Sequence, residues 1–206
     1  CNTNYTGICC NSEIKLTKDL FKISYQNESS GTKVVVEIGI VIALAVALST
    51  ITRFIQLPWG GSISIGSVPI AIFCLLRGSK AGVLVGALYG VVDLMLNPFI
   101  VHPAQVLLDY PIPNALFGCL IGFLHRLDTP IRLFPYVLII SLAGCAKWFS
   151  HWISGILYFG AYAPVGQEVW IYSAIYNASH VIPETILCIV LLRFLVPYIP
   201  KRLSEL

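Results

Sequence analysis

The stretch Lys147-Trp-Phe-Ser-His151-Trp-Ile-Ser-Gly155 places two ionisable side chains inside a segment that otherwise has the composition of a membrane span. A charged side chain near the centre of a membrane helix costs about 2.5–3.5 kcal/mol on insertion scales, so such residues usually face a protein interior. The spacing of four places Lys147 and His151 on one helix face, where both can reach one bound molecule. The stretch therefore predicts a small polar ligand held within the membrane.

The composition of the whole chain agrees with a membrane protein. Of its 206 residues, 57% are hydrophobic and 11% are charged, whereas soluble domains have about 45–50% apolar and about 25% charged residues. The net charge of +3 is small and scattered, so no nucleic-acid partner is expected. No GxxxxGK[ST] phosphate loop is present, so the sequence gives no sign that the chain itself hydrolyses ATP.

Turn signals divide the apolar sequence into segments, and we predict an all-α integral membrane protein with six transmembrane helices. The second and third segments are short, at roughly 17 and 24 Å against a hydrocarbon core of about 30 Å. A re-entrant hairpin would explain why these two segments are short. However, it would bury the charged Arg77 and Lys80 within the membrane, at a high cost in free energy. We expect residues 1–31 to be a polar, disordered leader and residues 32–206 to be a membrane substrate-binding domain. The six segments are 34–55, 67–77, 81–96, 103–124, 133–159 and 168–196.

The basic residues predict the orientation in the cell membrane. If six spans alternate, nearly all lysines and arginines fall on one side, and Arg53 is the exception. The positive-inside rule then places both termini in the cytoplasm. The loops 57–66, 97–102 and 160–167 would face outside. The first of these is rich in glycine and carries Trp59, and we expect it to act as a lid.

Polar side chains from three helices are expected to meet in the external half of the membrane. Counting about 1.5 Å per residue from each external helix end gives them depths of roughly 6–18 Å. Loop or broken backbone at this depth is tolerated where it lines a cavity. The sequence thus predicts a pocket that opens to the outside beneath the lid. The residues concerned are Asp109, Lys147, His151, Tyr172 and Asn177.

The types of residue around this pocket favour a flat ligand with a cationic or amine-bearing heteroaromatic ring. A cation over an aromatic face gains about 0.5–2 kcal/mol. Asp109 can offset a positive charge on the ligand, and Lys147 and Asn177 can form hydrogen bonds with ring nitrogens or a hydroxyl. The aromatic side chains that could offer a ring face to the ligand, here called ring donors, are Trp59, Tyr110, Trp152, Tyr158, Phe159 and Tyr172.

Several structural interpretations stay open beside this ligand site. Asp109 and Lys147 can simply pair with each other, and His151 can be a core histidine with its hydrogen bonds satisfied. His180 and Glu184 lie four apart on the last helix, but deeper, and we interpret them as packing or partner contacts.

Two further patterns concern helix faces. Tyr172 and Asn177 are five residues apart, about 140° around a helix, so both reach one pocket only if that helix starts irregularly. The stretch Ala43-Leu-Ala-Val-Ala47 is a small-xxx-small pattern, which lets another helix approach closely. Internal packing and contact with a partner explain it equally well.

Eight short motifs follow one another along the chain, and they are Gly60-Gly-Ser-Ile-Ser64, Val68-Pro-Ile70, Arg77-Gly78, His102-Pro-Ala-Gln105, Leu108-Asp-Tyr-Pro111, His151-Trp-Ile-Ser-Gly155, Tyr162-Ala-Pro164 and Tyr172-Ser-Ala-Ile-Tyr-Asn177. Taken in order, this set resembles the thiamine-specific substrate-binding (S) component of energy-coupling factor (ECF) transporters, the vitamin importers of bacteria and archaea. The likeness covers about residues 34–196. It implies six helices, an external loop that closes the site, and thiamine bound in the outer half of the membrane.

The resemblance also implies roles for individual residues. Tyr158-Phe159 stands where relatives often have a stacking tryptophan, so Phe159 is included among the ligand contacts. Ala43 and Ala47 match the motif by which such proteins dock onto a transmembrane T component that carries two ATPase subunits. The implied ligand contacts are Trp59, Asp109, Tyr110, Lys147, His151, Phe159, Tyr172 and Asn177.

The function expected from the sequence is high-affinity binding of extracellular thiamine and its import as the substrate-binding subunit of an ATP-driven ECF transporter. An S component for a thiamine precursor or another flat B-type vitamin is the alternative. An intramembrane enzyme using His151 and Asp109 as acid and base is disfavoured, because neither metal-ligand spacing nor a GxS-type nucleophile motif accompanies them. We expect no catalytic residues, no metal and no cofactor.

Overall fold

The computed structural model describes residues 31–53, 55–58, 61–126 and 133–198. The chain divides into two compact units, Cys1–Ile40 and Val41–Leu206. Of the first unit, residues 31–40 are described and are helical. The predicted leader, apart from its last residue, and the predicted ring donor Trp59 lie outside the described residues. The domain boundary after residue 31 stays a prediction.

The first helix and a β-hairpin come before the main bundle. Helix α1 is Gly31–Ile51. Strands β1, Ile55–Gln56, and β2, Ser62–Ile63, then pair antiparallel. The backbone N–H of Leu57 donates to the carbonyl of Gly61 at 3.0 Å, which continues this pairing. The described part of the predicted lid, 57–66, therefore contributes strand β2 and the residues next to it to a short β-hairpin.

Helix α2, Ser67–Leu96, is broken at Gly78, where φ is +78° and ψ is −176°. Glycine suits this position because side chains rarely tolerate a positive φ. The two halves of the helix fold back on each other at this residue. A Cβ placed on Gly82 would lie 3.1 Å from Sγ of Cys74, although eight residues along a straight helix span about 12 Å.

The next span consists of two short helices and a terminal 3₁₀ turn. Helix α3 is Pro103–Asp109, and helix α4 is Pro111–Ile121, followed by the 3₁₀ turn Gly122–Arg126. Pro111 has no backbone N–H and disfavours the helical conformation at the residue before it. Tyr110 nevertheless stays in the right-handed helical region, but its φ of −116° and ψ of −75° depart from regular helix values. The break places Asp109 and Tyr110 at the end of one helix and the start of the next.

The second half of α2 packs against α4 with backbone touching backbone. A Cβ placed on Gly86 would lie only 2.1 Å from the carbonyl oxygen of Asn114. Gly82 faces Gly118 and Gly90 faces Tyr110 in the same way. Small residues at every fourth position let two membrane helices approach this closely. This contact holds α4, and with it the end of α3, in place beside α2.

Helices α5, Leu133–Tyr158, and α6, Val169–Leu195, form an antiparallel pair joined through the 3₁₀ turn Gly160–Tyr162. Lys147 lies opposite Glu184, with 2.9 Å between Nζ and Oε2. One turn further along α5, the ring of His151 lies 5.8 Å from the ring of His180, centroid to centroid. The register therefore aligns two polar residues of α5 with two of α6.

The all-α membrane class predicted from the sequence is confirmed. The described residues contain five helices that are long and apolar enough to cross a membrane, whereas the prediction is six. Helix α2 contains both predicted segments, 67–77 and 81–96, as two helices that meet at the kink at Gly78. Counted as two helices, the halves of α2 account for the difference.

Candidate functional site

A cavity of about 330 Å³ lies among the β-hairpin and helices α2 to α6. The residues on its wall come from separate parts of the chain, which is typical of a binding site in a helical bundle. Trp59, the eighth predicted ligand contact, lies outside the described residues. The other seven predicted contacts all lie on the wall, and they are Asp109, Tyr110, Lys147, His151, Phe159, Tyr172 and Asn177.

Asp109 ends helix α3 and is held by two side chains. Nε2 of Gln105, one turn earlier, donates to Oδ2 of Asp109 at 2.6 Å. Oδ1 lies 3.2 Å from Nδ1 of His151 on α5. Gln105 is buried, and its side chain also bonds the backbone of the 97–101 loop. The carboxylate is therefore held in one orientation toward the cavity.

Tyr110 has a structural role as well as a place on the cavity wall. Its hydroxyl donates to the carbonyl of Asn97 at 2.9 Å and accepts the backbone N–H of Phe99 at 2.9 Å. These two bonds tie the loop after α2 to the junction between α3 and α4. The hydroxyl is thus occupied by backbone groups, and the ring is the part of Tyr110 that remains for a ligand.

Lys147 pairs with Glu184 and not with Asp109. Its Nζ lies 2.9 Å from Oε2 of Glu184, and the two side chains are only 13% and 12% exposed. Nζ also lies 5.9 Å from the centroid of the Phe117 ring. The open alternative of an Asp109–Lys147 pair is therefore wrong for this structure, in which Asp109 contacts His151 instead.

Two aromatic pairs contribute to the wall or lie next to it. Phe159 lines the cavity and stacks on Phe99, with 5.9 Å between the ring centroids and 18° between the ring planes. Its neighbour Tyr158 stacks instead on His102 at 4.9 Å and is not among the lining residues. Of the adjacent Tyr158 and Phe159, only Phe159 presents its ring to the cavity.

Tyr172 and Asn177 both reach the cavity although helix α6 starts regularly at Val169. The predicted need for an irregular helix start is therefore wrong. Tyr172 and Tyr176, one turn later, lie on the wall with their ring centroids 5.8 Å apart. The cavity is wide, and the side chain of Tyr172 is long. Both residues can therefore reach it although they lie about 140° apart around the helix.

His180 and Glu184 were not among the predicted site residues and were interpreted as packing or partner contacts. Both line the cavity. His180 is 5% exposed, and a Cβ placed on Gly61 would lie 3.0 Å from its Nδ1 and Cε1, so the hairpin rests on this ring. The spacing of three and four from Asn177 to His180 to Glu184 places all three on one helix face, and this pattern was the signal that could have found them.

A polar chain at the ends of α1 and α2 completes the wall. Nη1 of Arg53 donates to Oδ1 of Asn97 at 3.0 Å, and Nδ2 of Asn97 donates to Oδ1 of Asp93 at 2.9 Å. All three residues line the cavity. Sequence reasoning treats Arg53 only as an exception to the charge pattern, because its partner lies 44 residues away.

The described lining residues carry more acidic than fixed basic groups. Three carboxylates, Asp93, Asp109 and Glu184, face two fixed cations, Arg53 and Lys147. The formal sum over these five groups is −1. Glu184 is paired with Lys147, while the side chains that contact Asp109 belong to Gln105 and a histidine. The wall is therefore suited to a ligand with one positive charge.

Comparison with known proteins assigns the chain to a protein family. A family model described as thiamine transporter protein matches residues 35–204 of the chain. The chain belongs to this family of thiamine transporters. The family resemblance stated from the sequence motifs is thereby confirmed.

Individual relatives of the thiamine transporter family match over most of their length. The thiamine transporter ThiT of Bacillus subtilis is 35% identical over 188 residues, covering 87% of this chain and 98% of the relative. ThiT of Lacticaseibacillus paracasei is 31% identical, covering 82% and 89%. These relatives are transporters, which confirms the expectation that the chain is not an enzyme.

A solved structure supports the fold of this thiamine transporter family member. ThiT from Listeria monocytogenes matches with a TM-score of 0.72 and 23% sequence identity, covering 84% of this chain and 97% of the other. At this identity the match concerns the arrangement of the helices. It shows that the fold of this chain, over 84% of its length, is found in a solved protein.

Proposed function

We propose that this chain binds extracellular thiamine in the cavity and imports it as the S component of an ATP-driven ECF transporter. The observation that carries the proposal is Asp109, a carboxylate on the cavity wall whose described partners have no fixed positive charge. A buried charge is costly unless an opposite charge accompanies it. The permanently cationic thiazolium ring of thiamine supplies that charge.

The size and the aromatic lining of the cavity also support thiamine. Its volume of about 330 Å³ lies at the small end of the range of about 300–1,000 Å³ for ligand pockets, which suits a molecule of two small rings. Phe159, Tyr172 and Tyr176 offer ring faces. A thiazolium cation over such a face gains about 0.5–2 kcal/mol.

Hydrogen-bond donors remain for the aminopyrimidine ring. A lysine ammonium has three N–H donors, and Glu184 takes one of those of Lys147. Asp109 can accept from the exocyclic amino group while it keeps its bonds to Gln105 and His151, since a carboxylate has about four acceptor positions. The aminopyrimidine ring thus has hydrogen-bond partners on the same cavity wall that offers aromatic faces to the thiazolium.

Titration calorimetry on the purified protein tests this proposal. We expect saturable thiamine binding below micromolar concentrations. The absence of such binding would reject the assignment. If the isolated pyrimidine half of thiamine binds as tightly as thiamine itself, the chain is instead an importer of a precursor, since the thiazolium charge would then contribute nothing.

The proposed partner is a transmembrane T component with two ATPase subunits, which would drive import. Ala43 and Ala47 are exposed on α1, whereas Ala45 between them is fully buried. An exposed pair of small residues one turn apart lets a partner helix approach closely. The basic loops favour cytoplasmic termini, so the cavity would open outward to receive the vitamin.

Replacing Ala47 with tryptophan tests the docking face. We expect Ala47→Trp to lower thiamine uptake by cells by roughly tenfold or more, because a bulky ring prevents close helix approach. Thiamine binding by the purified variant should be unchanged, since Ala47 is not on the cavity wall. The matched control is Leu142→Trp at an exposed position on α5. Equal uptake by the two variants would contradict docking through this face.

A further inference from the structure

Lys147 and Glu184 form an ion pair on the cavity wall, and this pair affects the charge that a ligand meets. Both side chains line the cavity, and both are nearly nine-tenths buried. Their separation of 2.9 Å is that of a charge-assisted hydrogen bond. Phe117 offers a ring at 5.9 Å, and the carboxylate of Asp93 also interacts electrostatically with Lys147. Glu184 is the described carboxylate that contacts the ammonium directly, so it contributes most to compensating the charge of Lys147.

The register of α5 and α6 fixes this contact. Lys147 and His151 lie one turn apart on α5, and Glu184 and His180 lie one turn apart on α6. Because the helices are antiparallel, Nζ of Lys147 lies 2.9 Å from Oε2 of Glu184, and the rings of His151 and His180 lie 5.8 Å apart. Gly155, one further turn along α5, allows Ser173 and Asn177 to approach. The helix–helix packing thus holds Glu184 against Lys147 before any ligand arrives.

An uncompensated Lys147 would oppose a cationic ligand. Without Glu184, the described wall would have two carboxylates, Asp93 and Asp109, and two fixed cations, Arg53 and Lys147. Like charges in a partly buried site are screened much less than at a surface. A neutral ring would be unaffected by this repulsion. The carboxylate of Glu184 therefore matters most for ligands that carry a positive charge.

We propose that Glu184 is a positioning residue that sets the charge selectivity of the cavity by neutralising Lys147, so that a cationic ring ligand is preferred to its neutral counterpart. The proposal rests on the proposed function and adds the basis of its selectivity. Glu184 acts through Lys147, which keeps two donors for the ligand while its net charge is cancelled.

A double-mutant cycle with two ligands tests this inference. The proteins are the wild type, Glu184→Gln, Lys147→Gln and the variant with both changes. The ligands are thiamine and its uncharged pyrimidine half, each titrated by calorimetry. The measured quantity is the ratio of their affinities, because a general packing defect lowers both affinities and leaves the ratio unchanged.

The expected results have opposite signs for the two single variants. Glu184→Gln should lower the preference for thiamine by about tenfold, because an unpaired ammonium then faces the thiazolium. Lys147→Gln should preserve or raise that preference, because Glu184 becomes an additional free anion. The double variant should regain most of the wild-type ratio, although both absolute affinities fall with the loss of the ammonium.

Other outcomes would overturn the inference. The affinity ratio of Glu184→Gln could equal that of the wild type, or the ratio of the double variant could be as low as that of Glu184→Gln. Either result would show that Glu184 does not act through the charge of Lys147. If Glu184→Gln does not fold, as judged by gel filtration and thermal unfolding, Lys147→Gln still decides, and a lowered preference for thiamine contradicts the proposal. Failure of the wild type to bind thiamine is a separate result, and it would reject the proposed function itself.

Discussion

Replacing Asp109 with asparagine is expected to weaken thiamine binding by on the order of 100-fold, the loss that follows when one partner of a buried charge pair is removed. The side chain keeps its size, so the bond from Gln105 can persist through the remaining oxygen. The negative charge opposite the thiazolium is lost. Calorimetry on the variant measures the affinity, and thermal unfolding shows whether the fold is intact.

The matched control for this variant is Glu168→Gln. Glu168 is exposed at the start of α6 and is not on the cavity wall. The Glu168→Gln protein loses one negative charge, as Asp109→Asn does, and it should bind thiamine with the affinity of the wild type. An unchanged affinity in Asp109→Asn would move the binding site away from this carboxylate. Equal losses in both variants would indicate a general effect of net charge.

Replacing Gly86 with alanine is expected to destabilise the fold by about 1–3 kcal/mol, the range for overpacking a close contact. The added Cβ would lie 2.1 Å from the carbonyl oxygen of Asn114, and a backbone atom cannot rotate away. Helices α2 and α4 must therefore separate. The change in the free energy of unfolding, followed by circular dichroism in detergent, measures the effect.

Gly160→Ala is the control for the same chemical change at an open position. A Cβ on Gly160 would lie 3.5 Å from the nearest atoms of Val169, which is an ordinary van der Waals distance. Its stability should stay near that of the wild type. A Gly86→Ala protein that unfolds at the wild-type temperature would mean that the two helices are not in direct backbone contact.

Long apolar segments made most of the helices predictable. The hydropathy pattern predicts helices at 133–159 and 168–196, and the structure has Leu133–Tyr158 and Val169–Leu195. The agreement has a physical basis, because backbone polar groups within a bilayer must bond internally and a helix is the local way to do so. The break in α2 was also placed near Gly78, but composition does not reveal backbone angles, so the sequence did not show that one residue with positive φ makes it.

Much of the cavity wall was predictable for a related reason. A polar residue inside an apolar segment is costly, so it indicates an interior site. Asp109, Lys147 and His151 were found in this way, and the structure brings them to one cavity. Glu184 carries the same signal, but its depth on the last helix led to an interpretation as a packing or partner contact.

The sequence by itself determined that the chain is an all-α membrane protein, where most of its helices lie, and that Asp109, Lys147 and His151 face the interior. Those properties depend on local hydropathy and spacing. Only the tertiary structure decided that Lys147 pairs with Glu184 while Asp109 pairs with His151. The choice depends on the register of α5 against α6 and on the position of α3, and these are set by close packing between residues far apart in the chain.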